Sequence, residues 1–183
     1  MDIVELKAEL ERLHVASFGW ALSCCRRDRA EAEEILQIVY LKILEGKARY
    51  RGESNLKTWL FAVIRKTAVT EHRKNLLQSL KSIAGSAAKA FVPPPAADLE
   101  SSQRKEQFQR ALGRLPARQR EALHLVFYED LTLREAADVM GVSIGSARQH
   151  YERGKKRLRQ SLVREEVDYG VNWARKEYSG SVL

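Results

Sequence analysis

Residues Leu131 to Leu158, LTLREAADVMGVSIGSARQHYERGKKRL, constrain the fold most, because they read as two short helices with a fixed turn between them. Taking Gly141 as the turn, Ala137 falls four residues earlier, where the helices cross closely and a larger side chain would clash. Val142 follows as an expected buried turn residue, and Ser143 is placed to cap the next helix by accepting an early backbone N–H. Ile144, Ala147, Tyr151 and Leu158 recur near helical spacing and are expected to face inward. Ser146, Arg148, Gln149, His150 and Arg153 then point outward. Such a face suits a DNA major groove, with the first residues reaching base edges and Lys155, Lys156, Arg157 and Arg159 contacting phosphate. A plain helical hairpin with a solvated basic face would carry the same charge. The small residue, glycine, cap and basic helix in this order favour the helix-turn-helix.

Elsewhere apolar residues also cluster at spacings of three and four, seldom two, which predicts an all-α chain. A net charge of +8 and a pI near 9.6 call for a polyanionic partner. Nucleic acid is favoured over a membrane: the apolar run Trp59 to Ile64 has six residues, far short of the ~20 that span a bilayer. No basic-then-apolar leader opens the chain, so a cytoplasmic location is expected. Cys24 and Cys25 are sequence neighbours and exclude a disulfide framework. His14, His72, His124 and His150 lack metal-helix spacing, and neither GxxxxGK[ST] nor GxGxxG occurs. No catalytic constellation, metal site or cofactor site emerges, so the chain does not read as an enzyme.

Met1 to Cys25 carries Leu6, Leu10, Leu13, Phe18, Ala21 and Leu22 at the spacing of one or two amphipathic helices. A helix over about Ala30 to Leu44 has a core stripe of Ile35, Leu36, Val39 and Ile43, yet Ile38 and Leu41 fall on another face beside Glu34, Gln37 and Lys42. A helix apolar on two sides needs a second partner, either another helix of its own domain or another protein. In the following connector Gly52 suits a turn and Ser54 is placed to cap the next helix, Leu56 to about Lys74. That helix sets Leu56, Trp59, Leu60, Val63, Ile64 and Thr67 on one face, with Trp59 expected in the core. Lys57, Phe61, Arg65, Lys66, His72, Arg73 and Lys74 occupy much of the rest. From Arg49 to Lys74 seven basic residues face two acidic ones. Cations with an outward aromatic, Phe61, suit single-stranded or melted nucleic acid, where each stacked base contributes ~1–3 kcal/mol.

Between Leu76 and Glu100 the composition turns to Ala, Ser, Gly and Pro, with Pro93, Pro94 and Pro95 consecutive, which predicts a flexible, extended linker whose first part, Leu76 to Phe91, keeps some helix. Glu106, Phe108, Ala111, Leu112 and Leu115 mark a helix ending before Pro116, and Pro116 opens another over Ala117 to Tyr128. Beyond Leu162, the spacing of Val167, Gly170, Val171 and Ala174 allows a short appended helix.

Three stretches, AEAEEILQIVYLKIL (30 to 44), YRGESNLKTWLFAVIRKTA (50 to 68) and LPARQREALHLVFYEDLTLREAADVMGVSIGSARQHYERGKKRLR (115 to 159), resemble the extracytoplasmic-function (ECF) class of bacterial sigma factors. The resemblance implies two small helical domains joined by a flexible linker, the second a winged-helix-like, four-helix helix-turn-helix domain. It divides the chain into 1–75, a linker over 76–100, 101–162 and a C-terminal extension, 163–183. It implies a transcription initiation factor, not an enzyme, that binds core RNA polymerase and promoter DNA, needs no cofactor, is monomeric when free and binds an anti-sigma factor one to one. By the same resemblance Glu34, Gln37, Ile38 and Leu41 dock on the polymerase. Lys57, Phe61, Arg65, Lys66, His72, Arg73 and Lys74 meet a melted minus-ten element. Ser146, Arg148, Gln149, His150, Arg153, Lys155 and Lys156 meet the minus-thirty-five element. Lys66 stands where the family often has Asn, Ala62 and His150 where it often has Arg, and Ile38 where it often has an acidic residue. The competing reading is a stand-alone dimeric helix-turn-helix regulator, which predicts binding to paired half-sites.

Overall fold

A computed structural model describes residues 3–81 and 108–164, and every regular element among them is helical. The N-terminal half comprises α1 (Ile3–Arg12), α2 (His14–Cys24), α3 (Arg29–Leu44) and α4 (Leu56–Lys81). The C-terminal half comprises α5 (108–113), α6 (Ala117–Leu123), a π-helical turn (His124–Tyr128), α7 (Leu133–Met140) and α8 (Ile144–Arg164).

The expected amphipathic start of the chain is two helices interrupted at Leu13, whose side chain is buried with those of Leu10 and Ala21. Asp28 caps α3, its carboxylate accepting the Glu31 N–H at 3.1 Å, so the helix starts one residue before the expected Ala30. Ile35, Leu36, Val39 and Ile43 are all buried, as their spacing predicts. The cap of α4 is Asn55, whose side chain accepts the Lys57 N–H at 3.0 Å. Ser54, the expected cap, instead has its carbonyl taken by the Tyr50 hydroxyl at 2.6 Å. The helix then runs 26 residues to Lys81 and so includes the first residues of the expected linker. The rest of that linker, and the appended helix expected after Leu162 beyond Arg164, lie outside the described residues.

Trp20 of α2 organises the N-terminal core. Its indole N–H donates to the Phe61 carbonyl of α4 at 3.0 Å, and its ring stacks on the Phe61 ring at 5.9 Å between centroids. Phe61 is therefore fully buried, which corrects the expectation of an outward aromatic. Its position falls outside the stripe of Leu60 and Ile64, but α2 covers that flank as well. A helix flanked on two sides needs two apolar stripes, and one period cannot reveal the second.

In the C-terminal half the expected helix Ala117 to Tyr128 is α-helical only to Leu123, then widens into the π-turn, with Leu125 buried beneath it. Helices α6 and α8 approach closely at Gly154: a Cβ there would sit 3.1 Å from both the Gln119 carbonyl oxygen and the Leu123 side chain. The two halves also touch, α2 against α6 and α4 against α7, and their buried residues form one hydrophobic cluster.

Replacing Trp20 with Ala removes both the bridge and the stack, and is expected to cost about 3–5 kcal/mol, measured as a fall in unfolding free energy in urea. Gly154→Val drives a branched side chain between α6 and α8. It is expected to cost about 1–3 kcal/mol, seen as a lower Tm with helical circular dichroism retained.

Candidate nucleic-acid and protein interfaces

The helix-turn-helix is built from local hydrogen bonds. Thr132 and Glu135 form a reciprocal cap at the start of α7: the Thr132 hydroxyl accepts the Glu135 N–H at 3.2 Å and the Glu135 carboxylate accepts the Thr132 N–H at 2.9 Å. Gly141 ends α7 with φ +63°, a left-handed conformation that glycine adopts without strain. Arg118 reaches across from α6 and donates to the Met140 carbonyl at 3.0 Å, satisfying a group that the helix end leaves open. Ser143 then accepts the Ser146 N–H at 3.2 Å, as expected of a cap.

On α8, Ala147, Tyr151, Leu158 and Leu162 are buried against the rest of the C-terminal half. Ile144 is a correction: it is 37% exposed. At about 100° per residue it lies within some 20° of Tyr151 and in line with Leu162, so its exposure comes from its place as the first residue of α8 and not from its angle. Val142 is half-buried rather than buried. The opposite face carries Arg148, Gln149, Arg153, Lys156, Arg157 and Arg159, all exposed, with Ser146 and His150 partly so. Lys155 lies lower, its ammonium 5.3 Å from the Tyr151 ring centroid and 3.5 Å from Glu152.

The second basic surface is divided. Lys66, Arg73 and Lys74 are exposed on α4, Lys74 in contact with Glu71 at 2.7 Å. His72 turns toward α3, its Nδ1 3.0 Å from the Glu31 carboxylate. Lys57 and Arg65 face the C-terminal half. Lys57 donates to the Glu129 carbonyl at 2.9 Å and lies 2.8 Å from its carboxylate, while Arg65 donates to Glu121 at 3.2 Å. The four side chains keep between 10% and 24% of their surface exposed. Burial pushes the Glu129 carboxyl up, but its contacts with His124 and Lys57 outweigh this and hold it below the usual carboxylate range. Burial pushes the nearby Cys24 thiol well above its usual range and Cys25 up to about 12, so both remain protonated at neutral pH.

Ahead of α4 the connector folds over a cleft of about 260 Å³ lined by Arg49, Tyr50, Arg51, Glu53, Ser54 and Trp59. Gly52 shapes it with φ +76°, and the Tyr50 and Trp59 rings lie 5.4 Å apart. Trp59, expected in the core, packs on it with one part of its ring and lines this cleft with another. Two guanidiniums and two aromatic rings around one recess offer charge and a stacking surface together. Spacing hides this arrangement because Arg49, Tyr50 and Arg51 lie in irregular structure.

On α3, Glu34 and Gln37 are exposed, Ile38 is half-buried and Leu41 keeps 57% of its surface, joined by Leu44. The two-sided helix thus keeps a solvent-facing apolar edge beside its polar residues. Among the described residues no group of three His, Cys, Asp or Glu is arranged to hold a metal ion, and no helix is long and apolar enough to cross a membrane.

Residues 10–76 match the family described as Sigma-70 region 2, and residues 105–158 match Sigma-70, region 4. The ECF RNA polymerase sigma factor EcfG of Rhodopseudomonas palustris is 31% identical over 129 residues, 69% of this chain and 68% of that protein. The ECF RNA polymerase sigma factor SigM of Bacillus subtilis is 29% identical over 73% of this chain and 80% of its own. Among solved structures, the sigma factor RpoE in complex with the anti-sigma factor NepR from Bartonella quintana superposes with a TM-score of 0.72 at 26% identity, covering 88% of this chain and 98% of that one. CnrH in complex with the cytosolic domain of CnrY shares the fold with a TM-score of 0.58 at 16% identity, covering 88% of each chain. With a region 2 helical domain, a region 4 helix-turn-helix and these relatives, the chain belongs to the ECF sigma factors, which initiate transcription by directing RNA polymerase to promoters.

Proposed function

We propose that the two domains divide promoter recognition, with residues 101–162 reading a duplex minus-thirty-five element and residues 1–75 holding a melted minus-ten strand. The observation that carries this reading is the outer face of α8, where Arg148, Gln149 and Arg153 stand exposed directly after a capped helix-turn-helix turn. Arg148 and Gln149 carry the paired donors and acceptors that base edges in a major groove require, joined by Ser146, His150 and Arg153. Lys156 contacts phosphate from the same face, with Lys155 beside it. For the melted strand, the cleft at Tyr50 and Trp59 takes an unstacked base, and Lys66, Arg73 and Lys74 take the backbone. Lys57 and Arg65 join them when the halves separate. Phe61, being buried, acts from beneath by supporting Lys57, whose ammonium lies 5.4 Å from its ring centroid. His72 holds α4 to α3 through Glu31.

The α3 edge of Glu34, Gln37, Ile38 and Leu41 is assigned to core polymerase. Each DNA contact is weak alone; fixing both on one scaffold turns the second into an intramolecular event, raising avidity by ~10²–10⁴. The factor acts by binding alone, with no reaction of its own, in the cytoplasm where the polymerase works, and is monomeric when free. An anti-sigma factor is assigned as its regulator, since the similar sigma factor RpoE from Bartonella quintana is bound by the anti-sigma factor NepR.

Arg148→Ala is expected to cost about 1–3 kcal/mol at the cognate promoter, measured by holoenzyme binding. An equal loss on unrelated sequences would reassign Arg148 to phosphate. The double change Glu34→Lys, Gln37→Lys is expected to abolish co-purification with core polymerase while the circular dichroism stays native; undiminished co-purification would remove α3 from that role.

A further inference from the structure

We propose that the free factor is latched shut by two carboxylates of its own C-terminal domain, Glu121 and Glu129, which occupy Arg65 and Lys57 and so withhold part of the melted-strand surface of α4. The inference rests on the reading of α4 as a nucleic-acid surface, and adds how that surface is regulated.

The covered and the free cations differ in kind. The outer residues of α8 keep their side chains in solvent, whereas Lys57 and Arg65 are largely enclosed and paired across the interface. A phosphate backbone arriving at α4 must displace Glu121 and Glu129 from the cations it would bind. Duplex DNA arriving at α8 meets no such competitor among the described residues. The latch therefore bears on the melted strand and leaves duplex reading free.

The carboxylates can let go without being stranded. Glu121 is shared: its Oε2 also accepts from Arg118 at 3.3 Å, and Arg118 belongs to the same domain and holds the Met140 carbonyl. Glu129 has the His124 ring within reach in its own domain, Nε2 to Oε1 3.4 Å, a contact that becomes an ion pair when the imidazole carries a proton. When the halves part, Glu121 keeps Arg118 and Glu129 has the His124 ring within reach, while Arg65 and Lys57 become available. A buried pair without such alternatives would leave an uncompensated charge on separation and resist opening.

Backbone geometry marks the same contact as a place held under tension. Among the described residues, the non-glycine residues with left-handed φ are Arg26 (+50°), Arg27 (+68°) and Asp130 (+55°). The first two end α2 where it meets α6, and the third directly follows Glu129. Between them lies the π-turn, whose His124 ring packs 5.3 Å from Trp20. Arg26 also faces Arg120 across the contact, and that like charge, with burial as the larger cause, lowers the Arg120 pKa. Strained residues and opposed cations suit a contact that closes and reopens.

The test uses the full chain with Glu121→Gln and Glu129→Gln together, against a control of equal charge, Glu11→Gln with Glu45→Gln, at two exposed sites. Small-angle scattering reads the shape, and fluorescence anisotropy with a single-stranded oligonucleotide reads α4. The latch predicts a larger radius of gyration than wild type or control, and binding to the single strand about ten-fold tighter than the control, as expected if about a tenth of the wild type is open. Binding to a minus-thirty-five duplex should equal the control's, which also shows that the C-terminal domain remains folded. An unchanged radius overturns the latch. Expansion with no gain on the single strand overturns the reading of α4 as a nucleic-acid surface, and the inhibitory role with it.

Discussion

The indole of Trp20 is the point on which the arrangement of this chain depends. It hydrogen-bonds the middle of α4, stacks on Phe61 and packs against His124 of the C-terminal half. A tryptophan joins apolar area to one fixed donor, so it sets the rotation of α4 about its own axis as well as its distance from α2. That rotation presents Lys66 and Arg73 to solvent and turns Lys57 and Arg65 toward the carboxylates of the other domain. The same contact thereby determines which of the cations on α4 are free.

Charge is distributed over the two halves by different rules. On α8 the outer cations follow a single period, and the buried stripe of Ala147, Tyr151 and Leu158 supports them from one side. On α4 the cations surround a helix that is packed on more than one flank, so their availability depends on the arrangement of the domains. The chain's net positive charge is consequently presented unevenly: α8 displays it outright, while α4 displays part and holds part in ion pairs.

Most of the secondary structure, and the helix-turn-helix above all, is legible in the order of residues, because caps, turns and one-sided helices are local. Gly141, Ser143 and the stripe from Ala147 onward are where spacing puts them, and Leu41 is exposed on the second side of α3 as its pattern implies. The misreadings share a cause. Spacing sets Phe61 outward because its flank is apolar only in company with α2, and sets Ile144 inward because its angle matches that of Leu162 although it opens the helix. Ser54 and Asn55 are both good caps, and only backbone geometry separates them. The cleft at Tyr50 and Trp59 and the pairs Lys57 with Glu129 and Arg65 with Glu121 join residues distant in sequence or irregular in backbone, where no period operates. A surplus of carboxylate between Ala117 and Asp130 beside a basic domain was the available signal, and it was indistinguishable from a solvated helix face.

The pairs between the halves also explain how such an interface can be both specific and reversible. Contacts between domains of one chain are generally more polar than a core, so relative motion is the default. Here the apolar part includes the Trp20 ring against His124 and the packing of α4 on α7, and the polar part is supplied by carboxylates with a second cation or histidine within reach. Releasing the carboxylates exchanges a partner across the interface for one on the same side. That step leaves no isolated buried charge, the outcome that would make separation prohibitive. The closed form is thereby held by interactions that a stronger competitor, a phosphate backbone or a protein surface that binds one domain alone, is able to replace one at a time.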